Sequence, residues 1–160
     1  MRPEYNEFIK SVDIVDVVIM KSSFVASEMH DPESKYNVMQ SFDGPNLFVM
    51  NDYFVFEMTY QLELLKKGAD SQNTSGGTSV VKIDITIAAL YTAGKDFLQD
   101  EFKEIMLDFY NYSAVSHIQG FCRKHIFDLI NSAGYPRFIL SMLKSRFDTE
   151  PKDEVDNIKD

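Results

Sequence analysis

The clearest signal in the chain is an alternation. Phe54, Phe56, Met58, Tyr60, Leu62 and Leu64 recur at period two, with Glu57, Thr59, Gln61 and Glu63 between them. Successive side chains of a strand point to opposite faces. The pattern therefore predicts, within Phe48 to Leu65, an antiparallel strand with one buried and one solvated face. A matching run follows, with Val81, Ile83, Ile85, Ile87, Ala89 and Tyr91 on one face and Lys82, Asp84 and Thr86 on the other. Gly68 to Ser79 is polar and contains Gly76-Gly77, so it reads as the loop joining the two into a hairpin. Upstream, Ser11 to Ser27 is rich in β-branched and large side chains (Ile14, Val17, Val18, Ile19, Met20, Phe24, Val25). Its imperfect alternation predicts a strand with a bulge or bend. Met29 to Pro45 is cut by two turn signals, Asp31-Pro32 and Asp43-Gly44-Pro45, around a short apolar stretch at Tyr36, Val38 and Met39.

The period then lengthens. Leu98, Phe102, Ile105, Met106 and Phe109 follow the spacing of one helical face. Asp96 is placed to cap that helix, with Gln99 as its capping-box partner. Asn111-Tyr112-Ser113 interrupts the face. A second helix is expected through Val115, Ile118, Cys122, Ile126, Leu129, Ile130 and Ala133, with Gly134 as its C-terminal stop and Pro136 preventing resumption. Phe138 to Leu143 is apolar and reads as a short strand or a docking turn. Residues 148–160 hold six acids against two lysines, the composition of a disordered tail. Strands first and helices afterwards predict an α+β fold: an antiparallel sheet with long helices on one face. Residues 1–147 then form one domain and 148–160 a tail.

Composition narrows the function classes. A chain of 160 residues suits a single domain that needs no staple. Thirteen Phe, eight Tyr and eight Met accompany no Trp. Rings and thioethers fill cores first, but they also suit surfaces that adapt to many partners. The net charge of −9 opposes binding to nucleic acid or an anionic membrane and favours basic polypeptides. One cysteine, Cys122, precludes an internal disulfide and fits a reducing compartment. With no apolar leader or membrane-length apolar run, the expected location is cytoplasmic.

Catalytic chemistry finds little to stand on. The histidines are His30, His117 and His125. Cys122 and His125 are three apart on the second predicted helix, close enough to touch, as a nucleophile–base pair or half a zinc site would require. A buried Cys beside an exposed His is the commoner outcome. Asp100, Glu101, Glu104 and Asp108 are spaced as a solvated helix face, and Gly76-Gly77-Thr78-Ser79 lacks the lysine of a phosphate loop. The expectation is therefore no catalytic set, no metal and no cofactor.

The stretch Gly120-Phe121-Cys122-Arg123-Lys124-His125-Ile126, followed by Ala133-Gly134-Tyr135-Pro136, resembles the SecB family of export chaperones. That family carries Pro-Tyr-x-Arg-x-x-Ile, then a Gly and an aromatic-Pro pair at the same distance. Here Gly120 stands for the proline and Phe121 for the tyrosine, while Arg123, Ile126 and Pro136 match. The acidic-then-leucine helix Leu98 to Leu107 and the upstream element order extend the likeness over residues 11 to 147. The resemblance implies an ATP-independent holdase for unfolded polypeptides that assembles as a homo-oligomer, typically a tetramer. By position it implies client binding by Tyr36, Met39 and Phe42 in a crossover loop and by Phe109 and Tyr112 near the helix break. It also implies an oligomer interface on the long helix at Ile118, Cys122 and Ile126.

Three departures bear on the role. The family docks the export motor SecA through an acidic patch on the sheet; the aligned positions here hold Lys21, Val25 and Lys82 and keep only Asp84. Ile139 to Phe147 replaces the family's segment after the aromatic-Pro pair, and the final helix is shortened or lost. These weigh against SecA as a partner and favour a dedicated chaperone for the antitoxin of a toxin–antitoxin system, a role SecB-like proteins also serve. General preprotein export is the alternative. A rival from another class is a small hot-dog-like enzyme using Cys122, His125 or Asp128.

Overall fold

The structure, a computed structural model, describes residues 3–67 and 77–135. The two alternating runs form its centre. Strand β3 (Phe54–Lys67) pairs antiparallel with β4 (Gly77–Thr92), and each apolar residue meets another across the ladder. Phe54 faces Tyr91, Phe56 faces Ala89, Met58 faces Ile87, Tyr60 faces Ile85, Leu62 faces Ile83 and Leu64 faces Val81. All twelve are buried. Lys67 opposite Gly77 closes the described part of the expected hairpin; of the loop expected over Gly68 to Ser79, Gly77 to Ser79 belong instead to β4, and 68–76 lie outside the described residues.

Strand β1 (Asp13–Ala26) joins β4, with register shifts between Ile14 and Asp16 and between Ile19 and Lys21. Each irregularity changes the face presented by the next residue, which is why the alternation of this segment is broken.

Two expectations are corrected on the other side of the sheet. The segment read as a loop is largely strand β2 (Tyr36–Val49), paired with β3. The separate element expected from Phe48 to Leu65 is divided: Phe48 and Val49 close β2, Met50 N–H donates to the Tyr53 carbonyl at 2.8 Å across the turn, and β3 begins at Phe54. The Asp43-Gly44-Pro45 turn signal is a bulge, where pairing passes from Asp43–Thr59 to Asn46–Glu57. Proline at this place is compatible with a strand because β2 is an edge and owes no ladder bond on its free side. Among the described residues the sheet has four strands, in the order β1-β4-β3-β2.

One face of this sheet is covered by a single continuous run of helix. Asp96 does not cap it, contrary to expectation: the chain makes 3-10 turns at Lys95–Phe97 and Asp100–Phe102, neither with a side-chain cap. Helix α2 (Lys103–Phe109) leads into a π turn at Tyr110–Ala114 and then α3 (Val115–Ser132). Asn111-Tyr112-Ser113 is therefore not a break. The buried apolar positions are Ile105, Met106, Phe109, Tyr110, Ala114, Ile118, Cys122, Ile126 and Ile130. The step of five from Phe109 to Ala114 falls in the π turn, whose extra residue sets the Ile105–Phe109 stripe in line with that of α3.

The helix ends as the sequence predicts. Gly134 takes φ +75°, its N–H donates to the Asn131 carbonyl at 3.1 Å, and Tyr135 N–H donates to the Ile130 carbonyl at 3.2 Å. Those two bonds satisfy carbonyls that the helix would leave open, and Tyr135 and Ile130 are both buried in the core beside them. Phe138 to Leu143 and the acidic tail lie outside the described residues. One element had no sequence expectation: helix α1 (Pro3–Ser11), which buries Tyr5 and Phe8. No helix among the described residues is long and apolar enough to cross a membrane.

Two glycines give a ranked prediction. At Gly134 an added Cβ meets nothing within 4 Å, so Gly134→Ala carries only the left-handed backbone cost, about 1 kcal/mol. At Gly44, φ is +115° and the added Cβ would approach the Glu57 carbonyl oxygen to 3.0 Å. Neither can give way easily, so Gly44→Ala is expected to be the more destabilising in urea unfolding followed by circular dichroism. Equal midpoint shifts would contradict this reading of the bulge.

Candidate functional site

The residues of the enzyme rival do not converge. Cys122 faces the sheet and is buried. His125 leaves the helix toward β1, where its Nε2 lies 3.1 Å from the Ser22 hydroxyl. Asp128 is exposed and pairs with Lys124 at 3.0 Å. Three side chains pointing three ways form no closed pocket, and no group of acids, His and Cys with metal-binding geometry occurs among the described residues.

The residues expected to hold clients fall at opposite ends of the sheet. The ladder places Tyr36 beside Lys66 at one end and Val49 beside Phe54 and Tyr91 at the other, roughly 40 Å apart at strand rise. At the first end Tyr36 is half-buried and structurally engaged: its hydroxyl accepts from Asp31 N–H at 3.0 Å. Its ring packs against His30 at 5.7 Å and Tyr135 at 5.9 Å. Tyr135 in turn donates its hydroxyl to the Glu28 carbonyl at 2.7 Å, tying the β1–β2 connection to the end of α3.

Met39 lies on the outer face of β2 and is 55% exposed. Phe42 is on the helix side, half-buried, with its ring edge-on to Tyr60 at 4.6 Å. At the far end Phe109 is buried, while Tyr112, at 53% exposure, projects from the π turn. Ile118, Cys122 and Ile126 are buried against their own sheet, so the part of α3 open to a partner is its other side, where Phe121 is exposed.

Sequence reasoning missed how much apolar surface the strands leave open. Ile14, Val15, Val18, Met20 and Val25 are exposed on edge strand β1; Val38, Met39 and Phe48 are exposed on edge strand β2, continuing into Met50 and Tyr53. The signal was present in the chain, but until the strand order is known, nothing distinguishes an edge strand from a central one. Facing solvent on the sheet, Val25 is aligned with Lys82, which pairs with Glu63 at 3.3 Å, and Asp84 accepts from the Gln61 amide at 2.9 Å. That surface is mixed in charge, not an acidic patch.

No family model matches the chain, and no curated protein matches it. A solved structure does: the Rv1957 SecB-like chaperone of Mycobacterium tuberculosis, in complex with a ChAD peptide from the Rv1956 HigA1 antitoxin. It aligns over 89% of this chain and 98% of that one with a TM-score of 0.70, at 14% sequence identity. The chain has a SecB-like fold.

Titration in this SecB-like domain is governed by burial. Desolvation pushes the Cys122 thiol up to about 12, and it pushes the Tyr60 and Tyr91 hydroxyls to about 12 as well. Tyr60 still donates its hydroxyl to the Gln40 side-chain carbonyl at 2.9 Å. A thiol held neutral is neither a nucleophile nor a ready metal ligand at neutral pH. The linkage sign follows: between the unfolded values of 9.0 and 10.0 and the folded value of about 12, the unfolded chain has lost protons that the folded one retains. Stability is then full below pH 9.0 and falls as the pH rises toward 12. Two measurements check this. Melting temperature is expected to decline over that alkaline window, and a thiol reagent at neutral pH should label Cys122 only after unfolding.

Proposed function

We propose that the protein is an ATP-independent holdase, a SecB-like chaperone that binds unfolded polypeptide and serves the antitoxin of a toxin–antitoxin system. The observation that carries the reading is the half-covered sheet. The helix seals β3 and β4 but leaves the edges: along β2, Val38, Phe42 and Leu47 are only partly covered on the helix side, while Met39 and Phe48 are exposed on the outer face of the same strand. An extended chain laid there loses water against thioether and ring, and the outer backbone of an edge strand offers unpaired N–H and C=O groups. Flexible side chains accept many sequences, as a holdase must.

The antitoxin role draws on the neighbouring fold, which was solved with an antitoxin peptide. The net charge of −9 suits basic clients. Export through SecA is less favoured, because Lys21 and Lys82 occupy positions where the export chaperones carry acids. The second edge suits self-association: β1 exposes Met20 at 62% and Val25 at 60%, so we place a second copy of the chain there in a cytoplasmic homo-oligomer.

Purified protein should suppress aggregation of a chemically unfolded client without ATP. Failure at stoichiometric ratios, with no binding to a permanently unfolded chain in calorimetry, would sink the reading. Met39→Ser with Phe42→Ser is expected to weaken client binding about tenfold, a loss of roughly 1.4 kcal/mol, while leaving the oligomer intact by light scattering. Dissociation of the oligomer by that pair would instead place β2 in the subunit interface.

A further inference from the structure

The methionines fall into two classes. Six of the eight lie among the described residues. Met58 and Met106 are buried, and the Met58 sulfur accepts the Tyr110 hydroxyl at 2.7 Å. The other four, Met20, Met29, Met39 and Met50, are exposed, from 46% at Met50 to 91% at Met29. Three of these bracket one strand: Met29 precedes β2, Met39 lies in it and Met50 follows it. A thioether that solvent reaches is open to oxidation, and the chain's single thiol does not compete, because Cys122 is buried and neutral.

The place of Met39 makes such a change consequential. The ladder sets Asn37, Met39, Ser41 and Asp43 on the outer face of β2, opposite Leu65, Glu63, Gln61 and Thr59 of β3. Met39 is thus the single apolar side chain that this half of β2 presents outward. Leucine or valine would supply the same apolar surface without the chemistry. Conversion to the sulfoxide makes the side chain polar, and an apolar segment laid over it would strand the new oxygen without a donor.

We propose that Met39, with Met29 and Met50 at the two ends of β2, is a site of reversible oxidation by peroxide that weakens the holding of clients on this strand. The proposal rests on the holdase reading and gives that site a regulation. In the step, the sulfur lone pair attacks one oxygen of hydrogen peroxide. The S–O bond forms as the O–O bond breaks, and the second oxygen leaves as water with both protons. Sulfur is oxidised by two electrons and the peroxide is reduced by the same two. Met58 and Met106 are shielded by the fold, so oxidation reaches the surface and spares the core.

The test uses the full chain carrying Met20→Leu, which keeps any change on edge strand β1 out of the reading. Its affinity for reduced, carboxymethylated lactalbumin is measured before and after mild hydrogen peroxide. Peptide mapping by mass spectrometry is expected to find added oxygen at Met29, Met39 and Met50 and none at Met58 or Met106. The oxidised protein should bind about tenfold more weakly than before treatment, with an unchanged melting temperature. Reductases for both sulfoxide epimers should restore the affinity. Each further variant is compared with itself before and after peroxide: Met39→Leu should remove most of the loss, and Met29→Leu with Met50→Leu the remainder. Unchanged binding after oxidation, or a loss that persists in the variant with all four leucines, overturns the switch and leaves the holdase reading standing. A lowered melting temperature, or oxygen at Met58 or Met106, assigns the loss to unfolding and also overturns it. No binding by untreated protein, with no suppression of aggregation, removes both readings.

Discussion

A helix is narrower than the sheet it lies on. Four strands place the outer pair about 14 Å apart, while a helix with its side chains is about 10–12 Å across. One helical run can therefore seal the two central strands and no more. The partial cover of the edge strands on the helix side follows from that mismatch. β3 and β4 carry a fully buried row each, whereas the helix-side residues of the edges, Val17, Ile19 and Phe24 on β1 and Phe42, Leu47 and Val49 on β2, are only partly covered. Among the described residues no second helix lies over the edges, and apolar borders remain on both sides.

How much of this the sequence disclosed depended on the range of the interactions. The central hairpin was legible because its alternation is local and strict, and every apolar position of the period-two row from Phe54 to Leu64 was found buried. The end of α3 was legible for the same reason, through Gly134. Elements fixed by pairing at a distance were not. Asp43-Gly44-Pro45 has the composition of a turn, and only β3 alongside makes it a bulge. Asp96 has the composition of a cap, yet the chain there is held by Phe97 and Phe102 packing on one another at 5.2 Å, which favours tight 3-10 turns over a capped helix.

The residues read as a candidate site are scattered over the structure. Met39, Phe42 and Tyr112 keep open or half-open surface. Tyr36 joins a ring cluster with His30 and Tyr135 that pins the β1–β2 connection, and Phe109 lies under α1. Ile118, Cys122 and Ile126 face inward for the periodic reason that made them visible. Periodicity finds the stripe that is buried, and without a partner chain it does not say against what. The first helix was invisible because nine residues with two buried side chains give too little pattern.

The π turn at Tyr110–Ala114 has an arithmetical meaning for the family of sequences that can share this fold. Each helical residue advances the side chains by about 100° around the axis. Excision of one residue from that turn would leave a regular α-helix of good local geometry and turn all of α3 by that angle, swinging Ile118, Cys122, Ile126 and Ile130 off the sheet together. No point substitution does as much. The length of this segment is thus constrained more tightly than its composition, and tolerance here is to be sought among changed letters, not changed counts.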